Sequence, residues 1–464
     1  MPIPYQLSES TIKRLLAVIL LLAVLVRIGS ALFQGETVET LPGVYDQVSY
    51  DGLARRVVDG YGFSFGEDHW PATRAGEPTA HWSFLYTLYL AGVYALFGAH
   101  PLVARLIQAV IAGLLHTWLA WRIGRRLFGD GAGLIAAALS ALYIYFFYYA
   151  GSLITEPFYL TCVLWVFDIT LRLAAEYPRD SKQPSQQPSQ RWKQWLELGL
   201  AVGITTLFRQ LFLLFVPFLY LWLWWQLAQP LHSAPSNDPG SDARWWQRWL
   251  KPMGGFAAAT LVIALLIVPW TIRNYRAFGT LVPLNTNAGY VFFWGNHPIY
   301  GTHFVGILPS PGPSYYELIP KELLPLNEAK LDQALLKLGL QFIKEDPKRY
   351  LLLSLSRVQE YFKFWPSADS GRISNLARVG SFGIMLPFML YGLYLTLFVR
   401  LRTYTREQRA ALFLLCLFMV VYTGIHLLTW TLIRYRLPVD TFLLLFAAVG
   451  LLHIFLRLRP ATPK

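Results

Sequence analysis

The sequence predicts an all-α, polytopic membrane protein, and three observations support this fold class. Of the 464 residues, 55% are hydrophobic, and apolar runs of about 20 residues, long enough to span a bilayer as a helix, recur along the whole chain. Only helices and closed barrels can cross a membrane, because lipid offers no partners for backbone hydrogen bonds. The alternation of polar and apolar residues that barrel strands show is absent from these runs. We therefore expect a single membrane domain over residues 1–464, with about 10 to 11 transmembrane helices and extracytoplasmic juxtamembrane helices.

The apolar runs define the candidate membrane spans. The first run follows Lys13 and Arg14 and has no convincing small-residue cleavage site after it, so we expect it to be a retained span and not a signal peptide. One further run, Trp82–Phe97, is shorter than the others and is followed at once by GAHP. The candidate spans are Ile12–Phe33, Leu102–Trp121, Gly131–Ala150, Phe158–Leu173, Leu196–Phe208, Leu211–Leu227, Met253–Trp270, Val379–Val399, Ala410–Trp430 and Pro438–Phe455.

The positions of Lys and Arg predict the orientation of these spans, because basic residues favour cytoplasmic loops. The net charge of +13 comes mostly from short basic clusters between apolar runs, which is typical of a topology signal and not of a nucleic-acid-binding groove. These clusters share one side only if Trp82–Phe97 does not cross the membrane, so we expect this run to form a short, tilted or re-entrant helix. The clusters are residues 122–126, 172–193, 244–251, 400–409 and 457–464.

On this topology, two long segments face the extracytoplasmic side and two linkers face the cytoplasm. The outer segments are residues 34–80 and residues 271–375. In the second of them, NEAKLDQALLKLGLQFIKEDP has the apolar spacing of an amphipathic helix that ends at Pro347, and KRYLLLSLSRVQEYFKFW predicts another helix at the membrane surface. The linkers, residues 174–195 and 228–251, are rich in Pro, Ser and Gln, and we expect them to be solvated and to carry no chemistry.

Carboxylates concentrate in the first outer segment, and Asp46 is the leading candidate because it stands just after the first span. A carboxylate there can accept a proton from an acceptor hydroxyl or amine, or bind a divalent cation. The competing interpretation is a solvated loop or a helix-capping aspartate. Glu156, in SLITEP, is expected on the same face, although it could merely cap the helix that Pro157 begins. Asp46 and Glu156 are therefore our candidate catalytic residues and the candidate ligands of a divalent metal cation.

Arginines at the outer edges of spans depart from the usual bias of basic residues toward the cytoplasm. A cluster of guanidinium groups there favours binding of a lipid phosphate, whereas the competing interpretation is anchoring at the membrane interface. His81 could bind phosphate or metal, or be a hydrogen-bonded structural residue. The predicted substrate-binding residues are Tyr50, Arg74, His81, Arg209, Arg273, Asn274, Asn296, Arg434 and Arg436.

The order of several motifs carries a resemblance to a known family. Asp46 and Tyr50 are followed by LARRVVDGYGFSF, EPTAHWSFLYTLYLAGVYALFG, ARLIQAVIAGLLHTWLAWRIGRRLFG and SLITEPFY. Further along come LGLAVGITTLFRQ, PWTIRNYRAFGTLVPLNTNAGYVFFWGN and RYRLPVDTFLLLFAA. In this order they resemble bacterial membrane glycosyltransferases of the GT-C class, most closely glycosyltransferase family 39, which includes protein O-mannosyltransferases and lipid A aminoarabinose transferases.

The resemblance implies the GT-C fold and transfer of a sugar from a polyprenyl phosphate, with inversion at the anomeric carbon. It implies membrane lipids and a polyprenyl-phosphate-linked sugar as partners, no nucleic acid, and a site on the extracytoplasmic side of the bacterial inner membrane. By position, Asp46 resembles the catalytic acid of the family's first loop, and Glu156 lies where relatives carry a second acidic residue. Arg209, Arg273 and Arg434 are implied candidates for contact with the lipid phosphate.

The chain departs from the mannosyltransferases beside the expected catalytic acid. Those relatives carry an adjacent Asp-Glu pair, whereas Gln47 follows Asp46 here. At the entry to the short apolar run, where relatives sometimes have a lysine, this chain has AHWS, with His81 in place of that cation. The sugar, the acceptor and any dependence on metal stay open at this point.

Two other function classes compete with the glycosyltransferase interpretation. A transporter or lipid flippase would use the outer carboxylates as an ion or headgroup site, but no internal repeat is visible in the sequence. A catalytically silent scaffold is the other alternative, and the presence of both Asp46 and Glu156 weighs against it. Zinc hydrolases and ATPases have no support, because HExxH, GxxxxGK and Cys/His metal spacings do not occur.

Overall fold

The computed structural model describes residues 7–40, 45–176, 188–229, 249–308, 311–368 and 370–458, and these residues fold into helices with no β-strand among them. The predicted cytoplasmic linkers lie largely outside these ranges. The helices are α1 (Glu9–Gln34), α2 (Asp46–Val58), α3 (Phe84–Phe97), α4 (Pro101–Phe128), α5 (Asp130–Leu142), α6 (Ile144–Ala150), α7 (Glu156–Glu176), α8 (Pro188–Phe208), α9 (Val216–Ala228), α10 (Met253–Phe278), α11 (Ala288–Asn296), α12 (Glu328–Glu345), α13 (Pro347–Tyr361), α14 (Arg372–Val399), α15 (Arg406–Leu428) and α16 (Leu437–Leu458).

The predicted fold class, an all-α polytopic membrane protein, is confirmed. Within the described residues, seven helices are long and apolar enough to cross a membrane, or up to eight if α5 and α6, which are bent by 53° relative to each other, form one span. This number is lower than the predicted 10 to 11, because some predicted spans, such as α9, form helices too short to pass as spans. All of the apolar runs predicted as spans coincide with helical segments. The run predicted at Leu211–Leu227 is divided into a 3₁₀ turn, Gln210–Leu214, and the 13-residue helix α9.

Helices α7 and α16 occupy the centre of the bundle, whereas α1 lies at its edge. In their most apolar stretches, 83% of α7 and 67% of α16 is buried inside the protein, against 17% of α1. Close packing at the centre depends on glycine at one crossing: a Cβ atom on Gly392 of α14 would lie 1.7 Å from the carbonyl oxygen of Phe446 in α16. Because Glu156 begins α7, this carboxylate stands at the end of the most deeply buried span.

The short helix α3 begins and ends on the same face of the bundle. At its N-terminus, the Ser83 hydroxyl donates to the carbonyl oxygen of Leu207, near the end of α8 (3.0 Å). Just after its C-terminus, the carbonyl oxygen of Ala99 accepts from Arg55 of α2 (3.4 Å). With 14 residues, α3 is also shorter than a membrane span requires. This geometry agrees with the short, re-entrant helix expected from the distribution of charge.

We call the face that carries Asp46, Glu156 and the end of α8 the Asp46 face. The described basic residues of the predicted clusters lie at the other ends of the spans, on the opposite face. There, Arg122 and Arg172 both pair with Asp168, at 3.2 Å and 3.0 Å. The bias of positive charge toward one face is therefore present in the folded chain.

The two long segments of the Asp46 face are joined through a buried glutamate. Glu328 begins α12 and accepts hydrogen bonds from the hydroxyl of Thr73 (2.9 Å), the backbone N–H of Ala80 (2.8 Å) and the hydroxyl of Thr286. Asn327 caps this helix by accepting from the N–H of Lys330. The predicted amphipathic helix of this segment ends at Glu345, and the second predicted helix starts at Pro347 as α13. Both segments thus form one layer over the Asp46 face.

Candidate active site

Asp46 is the first residue of α2, where its carboxylate meets an arginine from the other end of the chain. Its Oδ2 atom lies 3.0 Å from Nη2 of Arg434, which belongs to the 3₁₀ turn Ile433–Arg436 before α16. The side chain of Asp46 is 18% exposed and that of Arg434 is 9% exposed. A carboxylate at the start of a helix is also favoured by the helix dipole. The Asp46 carboxylate therefore lies near the surface of the bundle, paired with the guanidinium group of Arg434.

Glu156 brings a second carboxylate to the same arginine. Its Oε1 atom lies 3.5 Å from Nη1 of Arg434 and also contacts Nη2 of Arg209. The Glu156 side chain is 2% exposed, and Thr155 donates to its other oxygen at 3.4 Å. The local sequence places Glu156 at the start of α7, because the next residue, Pro157, suits the first turn of a helix. Two carboxylates from separate loops thus share one guanidinium group.

Arg209 completes this group, which we call the arginine–carboxylate cluster: Asp46, Glu156, Arg209 and Arg434. Arg209 follows the last residue of α8, and its Nε donates to the hydroxyl of Thr155 at 3.0 Å. The cluster balances two negative charges with two positive ones. Removal of one member would leave an uncompensated charge in a poorly solvated place, which costs about 3 to 5 kcal/mol.

Aromatic rings surround the two guanidinium groups of the cluster. The Tyr435 ring lies 5.6 Å from the Arg209 guanidinium and 5.2 Å from that of Arg434, and the Tyr159 ring lies 5.5 Å from Arg209. These distances are typical of cation–π contact. Sequence reasoning missed both tyrosines. The RYR pattern around Tyr435 was a usable signal, because it places a ring between two basic residues.

The Arg434 side chain retains an unused donor inside the cluster. Its Nε atom is buried and has no hydrogen-bond partner among the described residues. A guanidinium group binds phosphate or carboxylate oxygens through parallel N–H donors. The cluster therefore combines a carboxylate that can accept a proton with a guanidinium group that can receive an oxyanion.

Tyr50 lies beside the cluster, one helical turn after Asp46. Its hydroxyl accepts a hydrogen bond from the backbone N–H of Ser83 at 3.3 Å, and its ring packs edge-on against Trp82 and Tyr86. Burial and then the charge of Asp46 raise the pKa of Tyr50. Tyr50 therefore keeps its proton and fixes the start of α3 against α2.

The ring of Tyr45, directly before Asp46, is an exposed aromatic face at the site. It is 52% exposed and stacks on Trp70, with ring centroids 6.1 Å apart. Trp70 in turn stacks on Trp294 of the second long segment at 5.5 Å. This ladder of rings links both outer segments next to Asp46, and sequence reasoning did not identify it.

Arg273 and Asn274 lie together at the end of α10, away from the cluster's own contacts. Arg273 donates to the carbonyl oxygens of Thr79 (2.8 Å) and Phe63 (3.2 Å), so it holds the first outer segment. Asn274 is fully buried and donates to the carbonyl oxygens of residues 282 and 284. The structure gives both side chains positions that order loop backbone.

Two other predicted site residues are likewise engaged outside the cluster. Arg74 is exposed, pairs with Glu77 at 3.3 Å and donates to the carbonyl oxygen of Leu324. Asn296 is buried, and its side-chain oxygen accepts from Arg357 at 2.9 Å. These contacts connect loops and helices of the outer layer.

Arg436 stands two residues after Arg434 but points into the bundle. It is fully buried and pairs with Asp440 at 2.9 Å, while Tyr143 donates to the second oxygen of Asp440 at 2.7 Å. Its guanidinium group also lies over the ring of Phe382 at 3.4 Å. The neighbouring arginines of RYR thus have different partners, one in the cluster and one in the core.

His81 is buried between the two outer segments. Its Nδ1 lies 3.2 Å from the carbonyl oxygen of Thr286, and its ring packs against those of Trp70, Trp82 and Tyr290. Burial lowers the pKa of His81. The structure thus places His81 in an aromatic cage, where burial disfavours the cationic form.

Gln47, which stands where the resemblance would place a glutamate, has a supporting position. Its side-chain oxygen accepts from Arg105 of α4 (3.3 Å) and from the backbone N–H of Leu153 (3.4 Å), and its amide donates to the carbonyl oxygen of Glu39. The side chain is almost completely buried. Gln47 therefore ties the start of α2 to two neighbouring parts of the bundle.

The metal site considered at Asp46 and Glu156 does not fit this arrangement. The guanidinium group of Arg434 already lies between the two carboxylates, so a divalent cation there would meet a positive charge. Across the described ranges, no group of three or more His, Cys, Asp or Glu side chains is arranged to hold a metal ion. We assign no chemical step to a metal.

Comparisons with known proteins agree with the fold. Residues 81–234 match the family model described as dolichyl-phosphate-mannose-protein mannosyltransferase. No curated protein sequence matches the chain. The chain is similar to the archaeal oligosaccharyltransferase AglB from Archaeoglobus fulgidus, in complex with an inhibitory peptide and a dolichol-phosphate, at 14% identity and a TM-score of 0.55, covering 96% of this chain and 50% of that chain.

Other solved structures extend this comparison. The apo form of the Archaeoglobus fulgidus oligosaccharyltransferase gives 14% identity and a TM-score of 0.58, over 97% of this chain and 51% of that chain. ArnT from Cupriavidus metallidurans, bound to undecaprenyl phosphate, gives 16% identity and a TM-score of 0.48, over 96% of this chain and 60% of that chain. The chain spans about half the length of the oligosaccharyltransferases that it matches. The likeness to GT-C membrane glycosyltransferases expected from the motifs is confirmed at the level of the fold and of the matched family model.

Proposed function

We propose that this protein is an integral-membrane glycosyltransferase that moves a sugar from a polyprenyl-phosphate donor to an acceptor on the extracytoplasmic face of a bacterial inner membrane. The observation that carries the proposal is the sharing of Arg434 between Asp46 and Glu156, with a donor of Arg434 left unused. Transfer from a lipid phosphate needs a base for the acceptor and a cation for the departing phosphate. In this cluster, Asp46 would supply the base, and the guanidinium group of Arg434 in contact with it would supply the cation.

In the proposed reaction, the acceptor oxygen or nitrogen attacks the anomeric carbon while the bond from that carbon to the phosphate oxygen breaks. The acceptor proton passes to Asp46, and the bonding electrons leave with the polyprenyl phosphate. Attack from the side opposite the phosphate inverts the anomeric configuration. Arg434 and Arg209 would stabilise the negative charge that grows on the phosphate.

Donor binding would also change the contacts of the proposed base. In the unliganded cluster, Nη2 of Arg434 lies 3.0 Å from Oδ2 of Asp46. A phosphate that recruits the Arg434 guanidinium would weaken this ion pair and leave the Asp46 carboxylate open to the acceptor.

The remaining predicted residues take supporting places in this proposal. Tyr50 fixes α2 beside the cluster, and Arg273, Asn274, Asn296 and Arg74 order the outer segments. We propose no direct substrate contact for Arg436, because its guanidinium group is buried against Asp440.

The decisive experiment is transfer by the Asp46→Asn variant in bacterial membrane vesicles, which supply acceptor hydroxyl and amine groups, after addition of radiolabelled polyprenyl-phosphate hexoses and pentoses. We expect formation of free polyprenyl phosphate to fall by at least about 10²-fold, because the base is lost. Asp59→Asn is the matched control, since Asp59 is an exposed residue at the other end of α2. An unchanged rate in Asp46→Asn would contradict the assignment. Movement of intact donor across the bilayer without cleavage would instead favour the flippase alternative.

A further inference from the structure

A separate cavity lies on the face opposite the arginine–carboxylate cluster. Its volume is about 280 Å³, and it opens between the ends of α4, α7, α9 and α15. Two hydrogen bonds hold its walls together: Trp222 donates to the carbonyl oxygen of Ala410 (3.0 Å), and Gln408 donates to that of Leu127 (2.9 Å). The cavity is thus built into the junction of four helices at one membrane edge.

The cavity has a mostly apolar lining with two charged residues, Arg126 and Glu407. We call its leucine and alanine side chains, such as Leu171 and Ala175 of α7, the apolar floor, and the indole of Trp222 also lines the cavity. Arg126 comes from the last turn of α4. Glu407 also lines the cavity, but it lies in the first turn of α15, where the positive end of the helix favours a carboxylate.

Arg126 differs from the arginines around it in having no carboxylate partner within the described ranges. Its neighbours Arg122 and Arg125 pair with Asp168 (3.2 Å) and Asp130 (2.5 Å). For Arg126, no ion pair is found with any residue of the described chain. Asp168 and Glu176 attract the Arg126 charge without forming an ion pair with it, and Glu407 adds a carboxylate to the lining. Arg126 therefore keeps its N–H donors for a ligand, beside apolar side chains and at the depth where a span ends.

From this arrangement we propose that the cavity binds an anionic phospholipid of the leaflet on that face, with the lipid phosphate on Arg126 and the start of an acyl chain on the apolar floor. Basic pockets between transmembrane helices at a membrane edge suit this chemistry, because guanidinium groups bind phosphate oxygens and the apolar wall receives the lipid tail. A tryptophan at this depth is typical of the membrane interface. The volume, just below the range of about 300 to 1,000 Å³ for small-molecule pockets, suits part of a lipid. This site needs no contribution from the proposed transferase chemistry.

The test measures binding of phosphatidylglycerol to the full-length protein by native mass spectrometry, in competition with phosphatidylcholine. We expect Arg126→Gln to lower bound phosphatidylglycerol about fivefold, the equivalent of about 1 kcal/mol for one arginine near a lipid surface. Ala175→Trp keeps the charge but fills the floor from an exposed position, so it should lower binding as well. Arg126→Lys should recover part of the loss.

Arg402→Gln is the matched control, because Arg402 is exposed on the same face and does not line the cavity. It removes the same charge, so it reports any general attraction between the basic face and anionic lipid. Equal losses in Arg402→Gln and Arg126→Gln, or no loss in Arg126→Gln, would overturn the proposal. Displacement of the lipid by millimolar inorganic phosphate would also overturn it, since the cavity would then be a site for a free anion.

Discussion

At the scale of single residues, the shared position of Arg434 decides what its replacement should do. One guanidinium group reaches Asp46 and Glu156 with two different nitrogen atoms. A lysine ammonium is a point charge on a flexible stem and cannot hold both carboxylates in the same fork geometry. Charge balance would survive in Arg434→Lys, but the directed donors would not.

We therefore expect Arg434→Lys to fold and to lose about 10²-fold in kcat with the polyprenyl-phosphate donor, because one directed donor to the growing phosphate charge is removed. The measurement is single-turnover release of polyprenyl phosphate together with a melting curve. Arg74→Lys serves as the control, since Arg74 is exposed and pairs with Glu77 outside the cluster. Normal turnover by Arg434→Lys would show that Arg434 only holds the loops together.

The arginines also show how far residue-level prediction from the sequence reaches. Arg209, Arg273, Arg434 and Arg436 shared one signal, a basic residue at the outer edge of a span. The structure brings Arg209 and Arg434 to the carboxylates, whereas Arg273 binds loop carbonyl oxygens and Arg436 pairs with Asp440. Sequence position identifies the depth of such a residue, but the direction of its side chain depends on neighbours that are distant in the chain.

At the scale of elements, Glu328 joins the first outer segment to α12. Its two oxygens accept from Thr73, Ala80 and Thr286, and its side chain is buried. A glutamine at this position has only one acceptor oxygen. Its NH₂ group would replace the second oxygen and would face hydrogen-bond donors. The junction of the two segments therefore depends on both acceptor oxygens of this side chain.

We expect Glu328→Gln to lower the free energy of unfolding by about 2 kcal/mol, the scale for lost hydrogen bonds to a charged group. Thermal unfolding in detergent, followed by tryptophan fluorescence, measures the change. Glu322→Gln is the control, because Glu322 is exposed in the short turn Lys321–Leu323 of the same segment. Equal stability of both variants would show that the segments are held mainly by their aromatic contacts.

Asp332 connects α12 to α11 in a way that should depend on pH. Its Oδ1 accepts from the N–H groups of Gly289 (2.7 Å) and Tyr290 (3.3 Å) at the start of α11. Burial raises the pKa of Asp332 from 3.8 to about 7. A carboxyl group whose pKa is higher in the folded protein binds more protons when folded. Its contribution to stability is therefore complete below about pH 4 and is lost as pH rises toward 7.

We expect the wild-type protein to lose stability relative to Asp332→Asn as pH rises from about 4 to about 7, because asparagine does not titrate. Paired melting curves across this range give the difference. Asp346→Asn is the control, since Asp346 caps α13 from an exposed position and asparagine caps helices equally well. A constant difference between wild type and Asp332→Asn would contradict the prediction.

At the scale of the whole molecule, hydropathy and charge predicted the path of the chain but not its contacts. The apolar runs predicted as spans all became helical segments, because the bilayer requires satisfied backbone groups whatever the packing. The tie at Glu328 and the stack of Tyr45 on Trp70 were not predictable, since each joins residues with no shared local pattern. Asp46 and Glu156 were predicted as a pair, but Arg434 was expected as a phosphate ligand or an interfacial anchor and not as their shared partner.

The orientation of the molecule depends on whether α3 crosses the membrane, and single cysteines can test this directly. In the structure, Ala99 after α3 contacts Arg55 of α2, so Ala99 and the exposed Asp59 should face the same side. We expect Ala99→Cys and Asp59→Cys, each made after replacement of the native Cys162 and Cys416 by alanine, to react with a membrane-impermeant maleimide from outside intact cells. Thr403→Cys, on the opposite face, should react only after the membrane is opened. If Ala99→Cys instead reacted like Thr403→Cys, α3 would span the bilayer, and every later basic cluster would lie outside. Asp46 precedes α3, whereas Glu156 and Arg209 follow it, and the cluster needs all three on one side of the membrane. A spanning α3 would therefore contradict the proposed extracytoplasmic site.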